Sequence, residues 1–277
     1  ASIKVDVEQV SISSNLNTVF KAFDFSRANG LIAYAAANLV AVLDPNHFDG
    51  KHPKVLFTLK RHAQRVNSVA WLGENLLLSV SADKSIVLWE AQGDVRHFAS
   101  WSVKHHLKNA HGQAINYLTS LSLGSPTEEG AQPEIYVSTM CAGGTFKLWE
   151  LDGGVNEGKG GLKESGMLMF GKNLQEAMAL TQLSKRHLLV VIGGYDSKIH
   201  CYTCLRRGLR GEKAEEGASL LKFQFSLTGH ANSIKDFAFT APSLRFEDEN
   251  LQFLASCSQD KYVRLWRIQP LANVQNQ

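Results

Sequence analysis

The stretch LASCSQDKYVRLWRI, Leu254 to Ile268, has close copies elsewhere in the chain, and this repetition limits the fold more than any other feature. LLLSVSADKSIVLWE (Leu76 to Glu90) matches FLASCSQDKYVRLWR (Phe253 to Arg267) nearly position for position. IYVSTMCAGGTFKLWE (Ile135 to Glu150) is a third copy. LLVVIGGYDSKIHCYT (Leu188 to Thr203) is a fourth, with Tyr202 in the tryptophan slot, and GLIAYAAANLVAVLDP (Gly30 to Pro45) is a weaker one with Leu43 there. Each copy is a β-rich run, a small polar or glycine-rich turn, and a second β-rich run, which predicts a hairpin.

A second element precedes the strong copies. LKRHAQRVNSVAW (Leu59 to Trp71), LKNAHGQAINYLTSL (Leu107 to Leu121) and SLTGHANSIKDFAF (Ser226 to Phe239) each place a histidine shortly before a β-branched residue. Each repeat therefore supplies about four strands, one of them ahead of the histidine. The anchors Leu43, Trp89, Trp149, Tyr202 and Trp266 lie 46 to 64 residues apart. That exceeds the ~40–45 residues of a four-stranded propeller blade, so most copies carry insertions. Residues 122–134 and 242–250 read as surface loops, and 152–161 and 205–219 as linkers, from their Gly, Pro and charge content. The resulting expectation is an all-β chain of about five blades, at residues 1–45, 54–91, 95–151, 163–205 and 220–268. Blades stacked side by side bury both faces of their strands, which explains why LLVVIG is continuously apolar rather than alternating.

These repeats resemble WD40 β-propellers. The resemblance implies a structural role for the polar residues that recur in register: His62, Ser79, Asp83 and Trp89 in the second copy, and His230, Ser256, Asp260 and Trp266 in the fifth. In such blades a hydrogen-bond chain runs from the Trp indole to the Ser hydroxyl, from Ser to His, and from His to the turn Asp. Each group has the donor or acceptor required. A Ser-His-Asp hydrolase triad is the competing reading, since triads are recognised by geometry rather than sequence order. Catalysis needs one exposed nucleophile, whereas two full copies and several decayed ones favour struts. The third copy keeps His111, Thr139 and Trp149 but has Gly143 in the Asp position. The fourth keeps Asp196 but has Ile192 and Tyr202 and no histidine in the matching place. Packing must hold the decayed blades.

Other motifs carry less. GMLMFGKN (Gly166 to Asn173) fits the start of a phosphate-binding loop, but Asn173 stands where Ser or Thr should bind magnesium, and a blade-edge strand is the expectation. Cys201 and Cys204 have C-x-x-C spacing without a second pair, and residues three apart on a strand face opposite sides. Buried free thiols are expected, and no metal. His105, His106 and His111 stand among lysines and read as a solvated loop. No cofactor, small-molecule substrate or membrane contact is expected. Four cysteines in 277 residues are too few for a disulfide framework, no apolar run reaches membrane-spanning length, and the opening residues lack a secretory signal pattern.

The net charge of +3 is too mild to argue for nucleic acid by itself. Basic residues do gather at predicted turns: Lys60, Arg61 and Arg65; Lys104 and Lys108; Arg206, Arg207 and Arg210. They read as a solvated rim or as a face for RNA phosphates or an acidic partner. Arg61, Arg65, Lys84, Lys104 and Lys261 are the candidate partner-binding residues.

The resemblance extends beyond the architecture. LIAYAAANLVAVLDP, TLKRHAQRVNSVAW and LTGHANSIKDFAF…LASCSQDKYVRLWRI are similar to the first, second and fifth blades, respectively, of the N-terminal propeller in the second-subunit family of the Elongator complex, and look closest to its fungal members. That family implies two seven-bladed propellers in a much longer chain. The present residues would then form an open, incomplete propeller. It implies a cytoplasmic and nuclear non-catalytic scaffold that joins other Elongator subunits, in a complex that modifies transfer-RNA wobble uridines, with weak tRNA contact as a further expectation. A generic WD40 adaptor of another complex is the alternative.

Overall fold

The computed structural model describes residues 16–19, 21–50, 52–123, 133–152, 160–171, 174–206, 220–240 and 251–269. Most of the predicted loops and linkers fall outside these residues, as do Arg207 and Arg210.

The chain divides into two compact units, residues 1–110 and 111–277. The first holds two four-stranded antiparallel sheets. Blade 1 comprises β1 (Phe23–Phe25), β2 (Ile32–Ala36), β3 (Leu39–Asp49) and β4 (His52–Lys60), and blade 2 comprises β5 (Val66–Trp71), β6 (Leu76–Ser81), β7 (Ile86–Ala91) and β8 (Trp101–Leu107). The second unit holds three sheets. Blade 3 is β9 (Ile115–Leu123), β10 (Glu134–Cys141), β11 (Thr145–Leu151) and β12 (Leu162–Met169); blade 4 is β13 (Gln175–Gln182), β14 (His187–Gly194), β15 (Ile199–Leu205) and β16 (Lys222–Leu227). Blade 5 has three strands among the described residues, β17 (Ile234–Phe239), β18 (Gln252–Ser258) and β19 (Val263–Ile268).

The sheets run one strand out of phase with the repeat ranges read from the sequence. The strand ahead of each histidine closes the preceding sheet: β4 pairs with β3, β8 with β7, and β16 with β15. Within each unit the His62 loop therefore joins blade 1 to blade 2, and the His230 loop joins blade 4 to blade 5. Gly166 to Met169 of the GMLMF run lie in β12, an edge strand of blade 3, as the edge-strand reading expects; Lys172 and Asn173 lie outside the described residues.

Blade 4 shows why its strands are continuously apolar. Met178, Leu180, Leu188, Val190 and Ile192 face blade 3, in a cluster with Tyr136, Met140, Phe146 and Leu148. The alternate residues Ala177, Ala179, Leu189 and Val191 face blade 5, with Ile234, Phe237 and Leu254. A strand has period two, so burial of both faces leaves no position for polar alternation. Cys204 lies in the first cluster and Cys201 in the second, on opposite faces as their spacing requires. Gly193 is tight for the same reason: a Cβ there would come within 2.8 Å of Phe237 Cζ. In the first unit Ala33, Ala35, Val40 and Val42 pack against Val66, Val69, Trp71 and Trp89.

Candidate functional site

The recurring polar residues converge at the hairpin ends of the blades. In blade 2, His62 sits on the β4–β5 loop. Its Nε2 is 2.8 Å from Ser79 Oγ on β6, and Trp89 Nε1 on β7 donates to the same oxygen at 2.9 Å. An indole can only donate, so Ser79 accepts from Trp89 and gives its own proton to His62 Nε2. The imidazole proton is thereby placed on Nδ1, which faces Asp83 Oδ2 at 3.2 Å and Ser85 Oγ at 2.9 Å. Asp83 also accepts from Ala63 N–H (2.8 Å), Ser85 N–H (2.9 Å) and Ser85 Oγ (2.5 Å). Burial works against charge on Asp83, but the Ser85 hydroxyl, the Ala63 and Ser85 N–H groups and His62 together hold its carboxyl down at about 2. Burial also pushes His62 below its ordinary range, against the pull of Asp83. The ring is neutral and the carboxylate ionised.

Blade 5 repeats the arrangement. His230 Nε2 meets Ser256 Oγ at 2.8 Å, Trp266 Nε1 donates to Ser256 Oγ at 2.9 Å, and His230 Nδ1 faces Asp260 Oδ2 at 2.8 Å. Asp260 accepts from Ala231 and Tyr262 N–H at 3.0 and 2.9 Å. These bonds and His230 hold its carboxyl well below the usual range against the opposing effect of desolvation. Ser79 and Ser256 are 0% and 1% exposed, and each oxygen is capped by an indole N–H. A substrate carbonyl has no approach to either.

The decayed blades are held differently. Blade 3 keeps Trp149 Nε1 to Thr139 Oγ1 (2.8 Å) and His111 Nε2 to Thr139 Oγ1 (2.8 Å). His111, on the β8–β9 loop, is thus a buried member of a network rather than a solvated residue, and His105 and His106 lie in β8. In blade 4 the histidine that appears missing from the sequence comes from another strand. His200 on β15 meets Asp196 Oδ2 at 2.6 Å through Nε2 and Ser226 Oγ at 3.0 Å through Nδ1, tying the hairpin turn to β16. The Asp-x-x-x-His spacing across the turn was the signal available. Blade 1 uses Asn17. Its side chain accepts from Ala37 N–H (2.9 Å) and donates to the Ala37 and Val66 carbonyls (both 2.8 Å).

The basic candidates separate into two kinds. Lys84 and Lys261 are exposed at hairpin turns, with left-handed φ of 70° and 72°. Arg61 is exposed, and its Nε donates to His106 Nδ1 at 3.1 Å. Accepting that bond requires neutral His106, and burial followed by the charges of Arg61 and Lys108 lowers its proton affinity. Arg65 donates to Asn67 Oδ1 at 2.9 Å and, through its carbonyl, accepts Ala82 N–H of the blade 2 turn. Arg61, Arg65 and Lys84 therefore share one end of blade 2. Lys104 is instead ion-paired with Glu90 at 2.6 Å, on the β7–β8 part of the sheet. Arg206 departs most from a solvated rim: it is 3% exposed, its Nε bonds Glu134 Oε2 at 3.1 Å, and Tyr136 donates to the same carboxylate at 2.7 Å. Among the described residues no cluster of three or more His, Cys, Asp or Glu side chains could hold a metal ion.

Comparison with known proteins agrees with this geometry. The family described as WD domain, G-beta repeat matches residues 53–90 and 221–267, the stretches that hold the two complete networks. The chain is 31% identical over 276 residues to Elongator complex protein 2 of Drosophila melanogaster, covering 99% of this chain and 31% of that protein. It is 25% identical to the protein of the same name from Arabidopsis thaliana (96% of this chain, 30% of that one) and 24% identical to that of Saccharomyces cerevisiae (94% and 29%). The chain therefore spans less than a third of the length of each of these relatives. Among solved structures, the WD40 β-propeller domain of Doa1 is similar with a TM-score of 0.51 at 16% identity, covering 90% of this chain and 63% of that one; this is a likeness of fold. The repeated His–Ser/Thr–Trp networks, the five antiparallel sheets and the matched segments place the chain among the WD40-repeat proteins, where its sequence is similar to Elongator complex protein 2.

Proposed function

We propose that this chain is the propeller portion of a non-catalytic scaffold subunit of the Elongator complex. On this reading it takes part in protein–protein assembly that supports transfer-RNA wobble-uridine modification and acetylation linked to transcription elongation, in the cytoplasm and nucleus. The observation that carries this is similarity along 99% of the chain to a protein named as an Elongator subunit. The buried, indole-capped Ser79 and Ser256 support a structural role for the Ser-His-Asp sets of blades 2 and 5. The test is affinity purification of the native full-length protein. Co-purification of the other Elongator subunits is expected, and their absence from the purified material would overturn the assignment.

A second reading rests on Arg61, Arg65 and Lys84 at one end of blade 2. Such a group can meet RNA phosphates, and binding of this kind weakens steeply with salt. Filter binding of transfer RNA at rising salt, with wild type and an Arg61→Glu/Arg65→Glu variant, decides it. Equal binding by the two proteins would exclude this surface.

A further inference from the structure

The third blade keeps a receptor for a carboxylate but supplies no carboxylate of its own. Trp149 donates to Thr139, Thr139 therefore donates to His111 Nε2, and the imidazole proton is fixed on Nδ1. His111 is 3% exposed, and Nδ1 has no hydrogen-bond partner among the described residues. In blades 2 and 5 the same atom faces a turn carboxylate at 3.2 and 2.8 Å. That carboxylate also takes the N–H of the residue after the histidine (Ala63, Ala231) and the N–H two residues beyond itself (Ser85, Tyr262). The corresponding residues in blade 3 are Gly112 and Thr145.

The turn conformation is preserved. Gly144 has φ 71°, matching Lys84 at 70° and Lys261 at 72°. Gly143, in the aspartate position, is not in the left-handed region, so its backbone suits any residue. Gly112, Gln113 and Ala142 are exposed, which puts the turn at the surface. The Gln113 side-chain amide lies over Gly143, with Cδ 3.0 Å from where a Cβ would stand. Lys147 adds positive potential near the ring; with burial as the larger cause, it pushes His111 down to about 4. A buried N–H without an acceptor is destabilising, and an ionised carboxylate is the strongest acceptor available to it.

We propose that the turn formed by His111, Gly112, Gly143 and Thr145 binds a carboxylate supplied from outside the blade, the Asp or Glu side chain of a partner protein. The exposed Gln113 amide moves aside or gives its N–H to the second carboxylate oxygen. This inference needs only the second unit and holds whether or not the chain serves in Elongator.

NMR of the whole chain, labelled with 15N in its histidine rings, tests the proposal through the His111 Nδ1–H resonance. Sodium formate probes a free carboxylate, with sodium chloride at equal ionic strength as control. Acetyl-Gly-Asp-Gly-amide probes a side-chain carboxylate, with its Asn analogue as control. Formate and the Asp peptide are each expected to shift the resonance saturably, and the controls are not. Gly143→Asp, which supplies the carboxylate internally, is expected to abolish the response. Gln113→Glu, which places a carboxylate over the turn with little change in shape, is expected to weaken it about tenfold or more. An absent or non-saturating response in wild type overturns the proposal and assigns Nδ1 to a bridging water. A response that persists undiminished in both variants overturns the site. A response to formate without one to the Asp peptide overturns the partner side chain and leaves a site for small free carboxylates.

Discussion

Replacing Asp83 with alanine removes the acceptor at the end of the Trp89–Ser79–His62 relay. Four donors lose their bonds: His62 Nδ1–H, the Ala63 and Ser85 N–H groups and the Ser85 hydroxyl. They are not equally harmed. Ala63 is exposed, so water replaces its acceptor. Ser85 Oγ already lies 2.9 Å from His62 Nδ1 and can turn to accept that proton. What remains is a partly satisfied buried network, which costs ~1–3 kcal/mol. The carboxyl gives an independent figure. A fall from 3.8 to about 2 corresponds to about 2.5 kcal/mol, and solvent screening of a carboxylate near the surface reduces that to about 2 kcal/mol. Because the folded value lies below the unfolded one, the unfolded chain binds more protons, and stability rises with pH through this window. The contribution is complete above about pH 4 and is lost as pH falls toward 2. Urea titration followed by tryptophan fluorescence should place Asp83→Ala about 2 kcal/mol below wild type at pH 7, with the difference shrinking as the pH falls below 4. An unchanged midpoint at pH 7, or a difference that does not shrink in acid, would refute the reasoning.

Arg206→Leu should destabilise the protein by ~3 kcal/mol in the same assay, because it removes the buried cation paired with the half-buried Glu134 carboxylate; a loss below ~0.5 kcal/mol would show that Tyr136 and solvent satisfy Glu134 without it. Among the cysteines, Cys257 should alkylate first in the native protein: Cys141, Cys201 and Cys204 are buried, and burial pushes the Cys201 thiol up to about 12. Mass spectrometry after brief iodoacetamide treatment at pH 8 reads the order, and early labelling of Cys201 would contradict the packing. Arg61→Gln should raise the proton affinity of His106, measurable as a higher midpoint in an NMR pH titration, since it removes a neighbouring cation. Gly193→Ala should cost ~1–3 kcal/mol from overpacking against Phe237, checked by its thermal midpoint.

What the sequence determined is what a hairpin's register fixes locally. Ser79 and Trp89, like Ser256 and Trp266, stand ten residues apart across a tight turn, and antiparallel pairing leaves that spacing one geometry. The buried strands, the opposite faces of Cys201 and Cys204 and the edge strand in β12 follow from period-two alternation in the same way. Tertiary structure decided what joins residues distant in sequence or replaces a lost partner. Arg206 meets Glu134 across 72 positions, and Lys104 meets Glu90, so neither charge is free on a rim; composition carries no record of such pairings. His200 takes over Asp196 from a strand position because β15 and β16 bring it beside Ser226. Among the described residues His111 Nδ1 lacks an acceptor because Gly143 stands in the aspartate position, while Gly144 keeps the left-handed turn seen at Lys84 and Lys261. Local spacing sets which atoms can meet within a hairpin; only the packing of one sheet on the next sets which of them are buried and which still need a partner.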